Sequence, residues 1–174
     1  MQGRTPVEAV RNYIDPIQIA VSCVTDSVVS VDGGYYPSAM PHLLTMNRET
    51  PVRLGGESRL WFLLHKYYRV IESDLPSDSW MVEETGYRYA VIDTEGRDVL
   101  EYHWHPVGES PVVAPHLHIG HGAMIGRAEI GGAHLPTGQV TISDILRMLI
   151  RDFSITPRRS DWEFVLDEAS DSSA

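Results

Sequence analysis

Strand-like alternation of apolar and polar residues marks the middle of the chain, whereas helical spacing marks its two ends. Residues 80–93 and 97–105 are rich in strand-forming residues, and the Asp-Thr-Glu-Gly turn at 93–96 joins them into the clearest hairpin. A further strand over 112–120 is expected to pair with this hairpin. The stretch 17–31, rich in Val, Ile, Thr and Ser, predicts one or two more strands. Together these patterns favour an antiparallel meander.

One segment fits two structures. Leucines and a tyrosine recur at helical spacing over residues 60–71, but the second half, Tyr-Tyr-Arg-Val-Ile, is rich in aromatic and β-branched residues. We predict a strand here, because a meander follows directly. The preceding residues 35–57 hold three prolines and two glycines, so they predict a loop with short strands at 43–46 and 52–54.

Three capping sequences predict three helices. The run Thr5-Pro6-Val7-Glu8 resembles a capping box with proline at the first helical position, and it predicts a short helix over 6–13 that ends before Asp15-Pro16. Thr141 caps an amphipathic stretch whose apolar residues recur three and four positions apart. Ser160 opens another capping box, and the apolar stripe that follows it consists of Trp162, Val165, Leu166 and Ala169.

The chain therefore predicts an α+β fold. We expect an antiparallel sheet of about 5–7 strands, with a short N-terminal helix and two C-terminal helices packed on it. Residues 1–169 are expected to form a single domain, because no internal repeat or second core is recognisable. The small polar residues 170–174 predict a disordered tail.

Composition narrows the class of protein. The chain has 174 residues and one cysteine, so an intramolecular disulfide is excluded and any metal site must use His, Asp or Glu. No run of about 18 apolar residues occurs, which argues against a membrane span. The first residues lack the apolar core of a secretory signal, so the cytoplasm is the expected compartment.

The net charge of −10 disfavours nucleic acid as a partner, since nucleic-acid binding normally requires a basic surface. One local basic concentration lies near the C-terminus. Its side chains could contact RNA, but clusters of this kind are more often a solvated face. The residues are Arg147, Arg151, Arg158 and Arg159.

Histidines are concentrated in one part of the chain. Six of the eight lie between positions 103 and 134. Strand alternation puts Glu101, His103 and His105 on one face, and it puts His116 and His118 on one face of the next strand. If the two strands pair in a suitable register, all five side chains converge; a slip of one residue would separate the two histidine pairs.

Such a patch suits a divalent transition metal such as Zn, Fe, Ni or Mn. Two histidines with Glu101 would form a facial triad with open positions, and three histidines would suit zinc with an activated water. The predicted ligands are Glu101, His103, His105, His116 and His118, with His103, His116 and Glu101 as the catalytic candidates. His121 and His134, in or beside a glycine-rich loop, could complete or cover the site.

Two other interpretations stay open. Paired histidines can act as general base and general acid without a metal, as in metal-independent ribonucleases, with Tyr87, Arg88 and Tyr89 positioning a phosphate or a base. For the two tyrosines, ordinary packing within a strand is the stronger interpretation. Alternatively, the histidines occupy the solvent side of a one-sided sheet and belong to a non-enzymatic interaction module.

A partial family resemblance supports the metal-free interpretation. Tyr87-Arg88-Tyr89, then Tyr102-His103-Trp104-His105, then Pro115-His116-Leu117-His118, and finally a helix after Thr141, resemble the layout of TumE-type toxins of bacterial toxin–antitoxin pairs. The resemblance covers residues 87–150. It implies a toxin-like enzyme with an antitoxin as protein partner, and it assigns no individual catalytic residue.

Overall fold

An antiparallel sheet and three helices make up the chain, as predicted. A computed structural model describes residues 1–57, 59–74, 79–105, 111–126, 130–131 and 133–171. The helices are α1 (Pro6–Val21), α2 (Ile142–Arg151) and α3 (Trp162–Asp171). The strands are β1 (Gln2–Gly3), β2 (Val29–Val31), β3 (His42–Met46), β4 (Val52–Arg53), β5 (Trp61–Glu72), β6 (Trp80–Ile92), β7 (Asp98–Trp104), β8 (His116–Ile119) and β9 (Leu135–Pro136).

The strands follow the order β2-β3-β5-β6-β7-β8-β9, with β1 beside β6 and β4 beside β5. Every pairing between these strands is antiparallel. The turn between β6 and β7 is the one its sequence predicts. The Asp93 carboxylate accepts hydrogen bonds from the backbone N–H groups of Glu95 and Arg97 at 2.8 and 2.9 Å, and Gly96 has a φ of 79°. Glycine adopts this left-handed conformation at little cost.

Strand β5 occupies the segment that fitted both a helix and a strand, so the prediction of a strand is confirmed. Its ambiguity has a physical cause, because both faces of β5 are buried. Phe62 and Leu64 face the helices, while Leu63 and His65, on the other face, are also nearly inaccessible to water. A strand covered on both sides carries apolar residues without strict alternation.

Helix α1 is twice as long as predicted, and the prediction of strands over 17–31 is wrong for positions 17–28, of which 17–21 belong to the helix. The helix passes through Pro16, although a proline inside a helix costs about 3 kcal/mol. Beyond it, Ile17, Ala20 and Val21 continue the buried stripe that begins at Ala9. Each buried aliphatic side chain of valine or isoleucine size contributes about 1.5–3 kcal/mol, which offsets the cost of the proline.

The C-terminal helices close the core on the same face as α1. The reciprocal cap at Thr141 and Asp144 is present, and α2 and α3 bury the apolar stripes expected of them. Helix α3 includes residues 170 and 171, the start of the segment predicted as a disordered tail, and Ser170 donates to the carbonyl of Leu166 at 2.7 Å. Residues 172–174 lie outside the described residues.

A buried ion pair lies between α1 and the sheet. The Lys66 ammonium is 2.6 Å from a carboxylate oxygen of Glu84, and the hydroxyl of Tyr13 donates to the same oxygen at 3.0 Å. Burial first, and then Glu84, raise the pKa of Tyr13 well above its usual value. The three groups therefore form one polar contact inside an otherwise apolar layer.

The segments around β8 are shorter than predicted. The strand expected over 112–120 is limited to His116–Ile119. The sequence is also compatible with a short strand over 124–130. Residues 124–126 form no strand, and residues 127–129 lie outside the described residues. Among the helices that the structure describes, none combines the length and apolar character needed to cross a membrane.

Candidate metal centre

Two neighbouring strands place their histidines on one face of the sheet. In the β7–β8 pairing, Glu101 lies opposite His118, and His103 lies opposite His116. Opposed residues of an antiparallel pair share a face, with Cβ atoms about 5 Å apart. The register on which the predicted site depends is therefore the observed one. We call this side of the sheet the histidine face.

Three imidazoles of the histidine face converge within reach of one ion. One ring nitrogen from each of His103, His116 and His118 lies within 4.8 Å of the other two. The ring centroids are 5.7 Å apart for His103 and His116, 5.4 Å for His103 and His118, and 4.9 Å for His116 and His118. Of the five predicted ligands, these three come together as a candidate ligand set.

Two further histidines flank the three. The ring centroid of His105 lies 5.4 Å from that of His116, and the ring centroid of His134 lies 4.5 Å from that of His118. His134 is thus the loop histidine that covers the cluster. His121 occupies the short 3-10 turn His121–Ala123 and forms no ring contact with the cluster in the part of the chain that the structure describes.

His116 presents a free nitrogen lone pair inside the cluster. Only 1% of the residue is exposed, and its Nδ1 lies 2.8 Å from the carbonyl oxygen of Ala114. Because a carbonyl can only accept, Nδ1 carries the proton and neutral imidazole keeps its lone pair on Nε2. That Nε2 is buried and has no hydrogen-bond partner among the described residues. Burial, reinforced by the neighbouring imidazoles, lowers the pKa of His116, which favours this neutral form.

Glu101 supports the cluster from beside it. Its carboxylate accepts from Arg88 Nε at 2.6 Å and Nη2 at 3.3 Å, and it also contacts Nε2 of His103. Burial by itself raises the pKa of Glu101, but the hydrogen bonds from His103 and Arg88 outweigh it and bring the pKa down to about 2. An ionised carboxylate only accepts, so His103 donates from Nε2 and keeps its lone pair on Nδ1. A carboxylate that orients a ligating histidine in this way is a recurrent feature of metal sites.

A row of polar residues continues across the sheet from these histidines. Thr45, His65 and Arg88 are successive cross-strand partners, and Arg88 is in turn the partner of His103. His65 was not among the predicted site residues, although alternation within β5 places it on the same face as Tyr67. This face is buried at its centre, where Leu63 and Ala90 are 5% and 0% exposed. This burial argues against the interpretation in which the histidines are polar residues on the solvent side of a one-sided sheet.

Tyr87 and Tyr89 have the structural role that the sequence favours for them. Tyr87 and Tyr89 stack on each other with centroids 4.7 Å apart and are almost completely buried in the core. The hydroxyl of Tyr87 accepts from the backbone N–H of Val140 at 3.1 Å. Alternation along β6 places only Arg88 of this trio on the histidine face.

The metal-free protein is expected to lose stability on acidification below about pH 6.5, the usual histidine pKa. Burial is the main cause that lowers the pKa values of His65, His116 and His118. The histidines of the unfolded chain therefore take up protons at a higher pH than the same histidines in the folded protein. The stability that is present above the usual histidine pKa is lost as the pH falls through the lower pKa values of the folded protein. The limiting slope is about 1.4 kcal/mol per pH unit for each histidine.

Urea midpoints measured in EDTA between about pH 7.5 and 5.5 would check this linkage. The urea midpoint of His65→Asn should fall less steeply with decreasing pH than that of the unaltered chain. The reason is that this variant lacks one of the three histidines that take up a proton on unfolding. A midpoint that does not change over this interval would show that the prediction is wrong.

The four arginines of the basic cluster are each paired with a carboxylate. Arg147 contacts Asp167 at 2.6 Å and Arg151 contacts Glu163 at 2.7 Å, so these two pairs join α2 to α3. Arg158 pairs with Asp26, and Arg159 pairs with Asp161. Their positive charge is therefore locally balanced, which further disfavours nucleic acid at this surface.

Comparisons with known proteins leave the candidate metal centre to be judged on its own geometry. No family model, no curated protein and no solved structure matches this chain.

Proposed function

We propose that the protein binds a divalent transition metal through His103, His116 and His118 and uses it as a hydrolase. The observation that carries this proposal is the convergence of one ring nitrogen from each of the three imidazoles, together with the buried and unpartnered Nε2 of His116. Buried polar atoms in folded proteins almost always have a partner. A metal ion is the partner that three neutral imidazoles share most readily.

Zinc is the metal that the ligand set fits best. Three histidines with an open fourth position are typical of catalytic zinc sites. With Zn–N bonds of about 2.0–2.1 Å, tetrahedral geometry requires ligand nitrogens about 3.3 Å apart. The three rings would have to close by up to about 1.5 Å, a change that small side-chain rotations can supply.

The chain's own residues would contribute orientation and charge. Glu101 fixes the ring of His103 and supplies a negative charge next to the ligand set, while Arg88 holds Glu101 in place. A zinc ion bound there would lower the pKa of a coordinated water to about 7 and so would supply a nucleophile for hydrolysis. His105 and His134 lie beside the three ligands, where an imidazole could accept the proton of that water.

Elemental analysis of tag-free protein tests the metal. The expected result is about one equivalent of bound metal, most of it zinc, and a content under about one-tenth equivalent would contradict the proposal. His118→Ala, prepared in the same way, should lose the metal. His121→Ala is the matched control, because this histidine lies outside the cluster.

The resemblance to TumE-type toxins remains a separate prediction. It would be supported by growth arrest on expression of the chain alone, with relief by His103→Ala or His116→Ala. Unaffected growth would count against it and would leave the metal proposal unchanged.

A further inference from the structure

A groove of about 970 Å³ lies on the histidine face beside the candidate metal centre. It begins at His103 and His105, passes over Gly86 of β6, and reaches Met40 in the loop before β3. A Cβ atom at Gly86 would come within 2.6 Å of the carbonyl oxygen of Trp104, so this position requires glycine. The absence of a side chain there leaves the floor of the groove open. We call this feature the Gly86 groove.

Polar atoms without partners are concentrated in its walls. Arg69 Nε, Thr85 Oγ1 and His105 Nδ1 are all buried and have no hydrogen-bond partner among the described residues. Folded proteins rarely leave such atoms unpaired, so water, an ion or a ligand group is their expected partner. Three such residues around one groove therefore indicate a surface suited to a polar ligand.

The two arginines of the groove differ in charge balance. Arg88 is neutralised by Glu101 through two contacts. Arg69 forms no ion pair with any described residue, although Glu83 is its cross-strand partner. Among the described residues, Arg69 is therefore the arginine of the groove without a carboxylate within ion-pair distance, although Glu83 and Glu84 also line the groove. Its guanidinium suits an oxyanion.

Apolar surface completes the groove on the side away from the histidines. Met40 is 73% exposed and Tyr67 is 37% exposed, and both line the groove. Exposed side chains of this kind offer contact to the hydrocarbon part of a small molecule.

We propose that the Gly86 groove binds the anionic group of a small organic molecule, a carboxylate or a phosphate, with Arg69 as its counter-charge. Met40 and Tyr67 contact the apolar part of that molecule. The proposal deepens the proposed hydrolase function, on which it rests for one point: a molecule held here has its scissile bond next to His103 and the metal. The substrate class is therefore organic anions rather than neutral esters or amides.

Titrations of the full chain, both in EDTA and loaded with zinc, test the groove. The probes are phenyl phosphate, benzoate and the neutral benzyl alcohol, followed by calorimetry or by NMR shifts. One of the two anions should bind in the metal-free protein, whereas benzyl alcohol should not, and the preferred anion identifies the class. Arg69→Met keeps the aliphatic stem and should weaken anion binding about tenfold or more.

Two further variants keep this test decisive if Arg69→Met folds poorly. Met40→Ala changes a highly exposed residue and should weaken binding of either anion without affecting the fold. Glu83→Gln removes the carboxylate opposite Arg69 and should leave anion binding intact or strengthen it.

The outcomes separate the groove from the metal. Absence of anion binding in both forms, or binding that is insensitive to Arg69→Met, would overturn the groove proposal. Anion binding that requires zinc and is unchanged by Arg69→Met would show that the anion is a metal ligand. That result would support the metal centre but not the groove. Binding to a protein that takes up no metal would support the groove and contradict the hydrolase.

Discussion

Metal-free protein is expected to melt roughly 8–16 °C higher when Zn²⁺ is present at about a thousand times its Kd. A ligand that binds only the folded state adds about 4 kcal/mol under these conditions, and 1 kcal/mol corresponds to about 2–4 °C for a chain of this length. Calorimetry in EDTA, and then with zinc in excess, measures the shift. His116→Ala should abolish it, because the ring of His116 contacts four other imidazole rings and its buried Nε2 has no hydrogen-bond partner among the described residues.

Control variants distinguish ligands from supporting residues. His121→Ala should keep the full zinc shift, and His118→Ala should lose it as His116→Ala does. Glu101→Gln should bind zinc about 10–100-fold more weakly, the usual effect of removing a carboxylate that orients a ligating histidine. An unchanged shift in His116→Ala would contradict the assigned ligand set.

Lys66→Met is expected to lower the free energy of unfolding by about 2–3 kcal/mol. The variant leaves the carboxylate of Glu84 under helix α1 with only the hydroxyl of Tyr13 as a partner. Breaking a buried pair typically costs about 3–5 kcal/mol, and the effect should be smaller here because 27% of the Glu84 side chain is exposed. Urea unfolding at neutral pH measures the change.

A double-mutant cycle gives the matched control for this pair. Lys66→Met combined with Glu84→Gln removes both charges and should recover most of the lost stability. The amide can still accept from Tyr13, so that hydrogen bond is preserved. Additive losses in the double variant would show that Lys66 and Glu84 are not energetically coupled.

The fold was largely predictable because its periodic signals are local. The Asp93 turn, the Thr141 cap and the apolar stripe of α3 each depend on neighbouring residues, and each is present. The error at α1 arose because the local rule for Pro16 is weaker than burial of Ile17 and Val21, which requires tertiary packing that a local pattern does not show.

The part of the candidate site that lies within two strands was also predictable from local patterns. Alternation predicts that His103 belongs to one face of its strand and that His116 and His118 share a face of the next strand. The register that brings them together was a condition of that prediction, and the β7–β8 pairing meets it. The roles of Arg88 and His65 depend on how β5 pairs with β6 and how β6 pairs with β7, which alternation alone does not specify. The position of His134 depends on the path of a glycine-rich loop, for which no periodic signal exists.

The closeness of the three clustered histidines along the chain has a consequence for the order of folding. His103 and His118 are 15 positions apart, since 118 − 103 = 15, so bringing them together closes a short loop at small entropic cost. The contact between α1 and α3, by contrast, joins opposite ends of the chain and forms only after a long loop has closed. An ion held by these histidines would therefore stabilise a local hairpin before the helices dock, and it would act on the rate of folding as well as on its equilibrium.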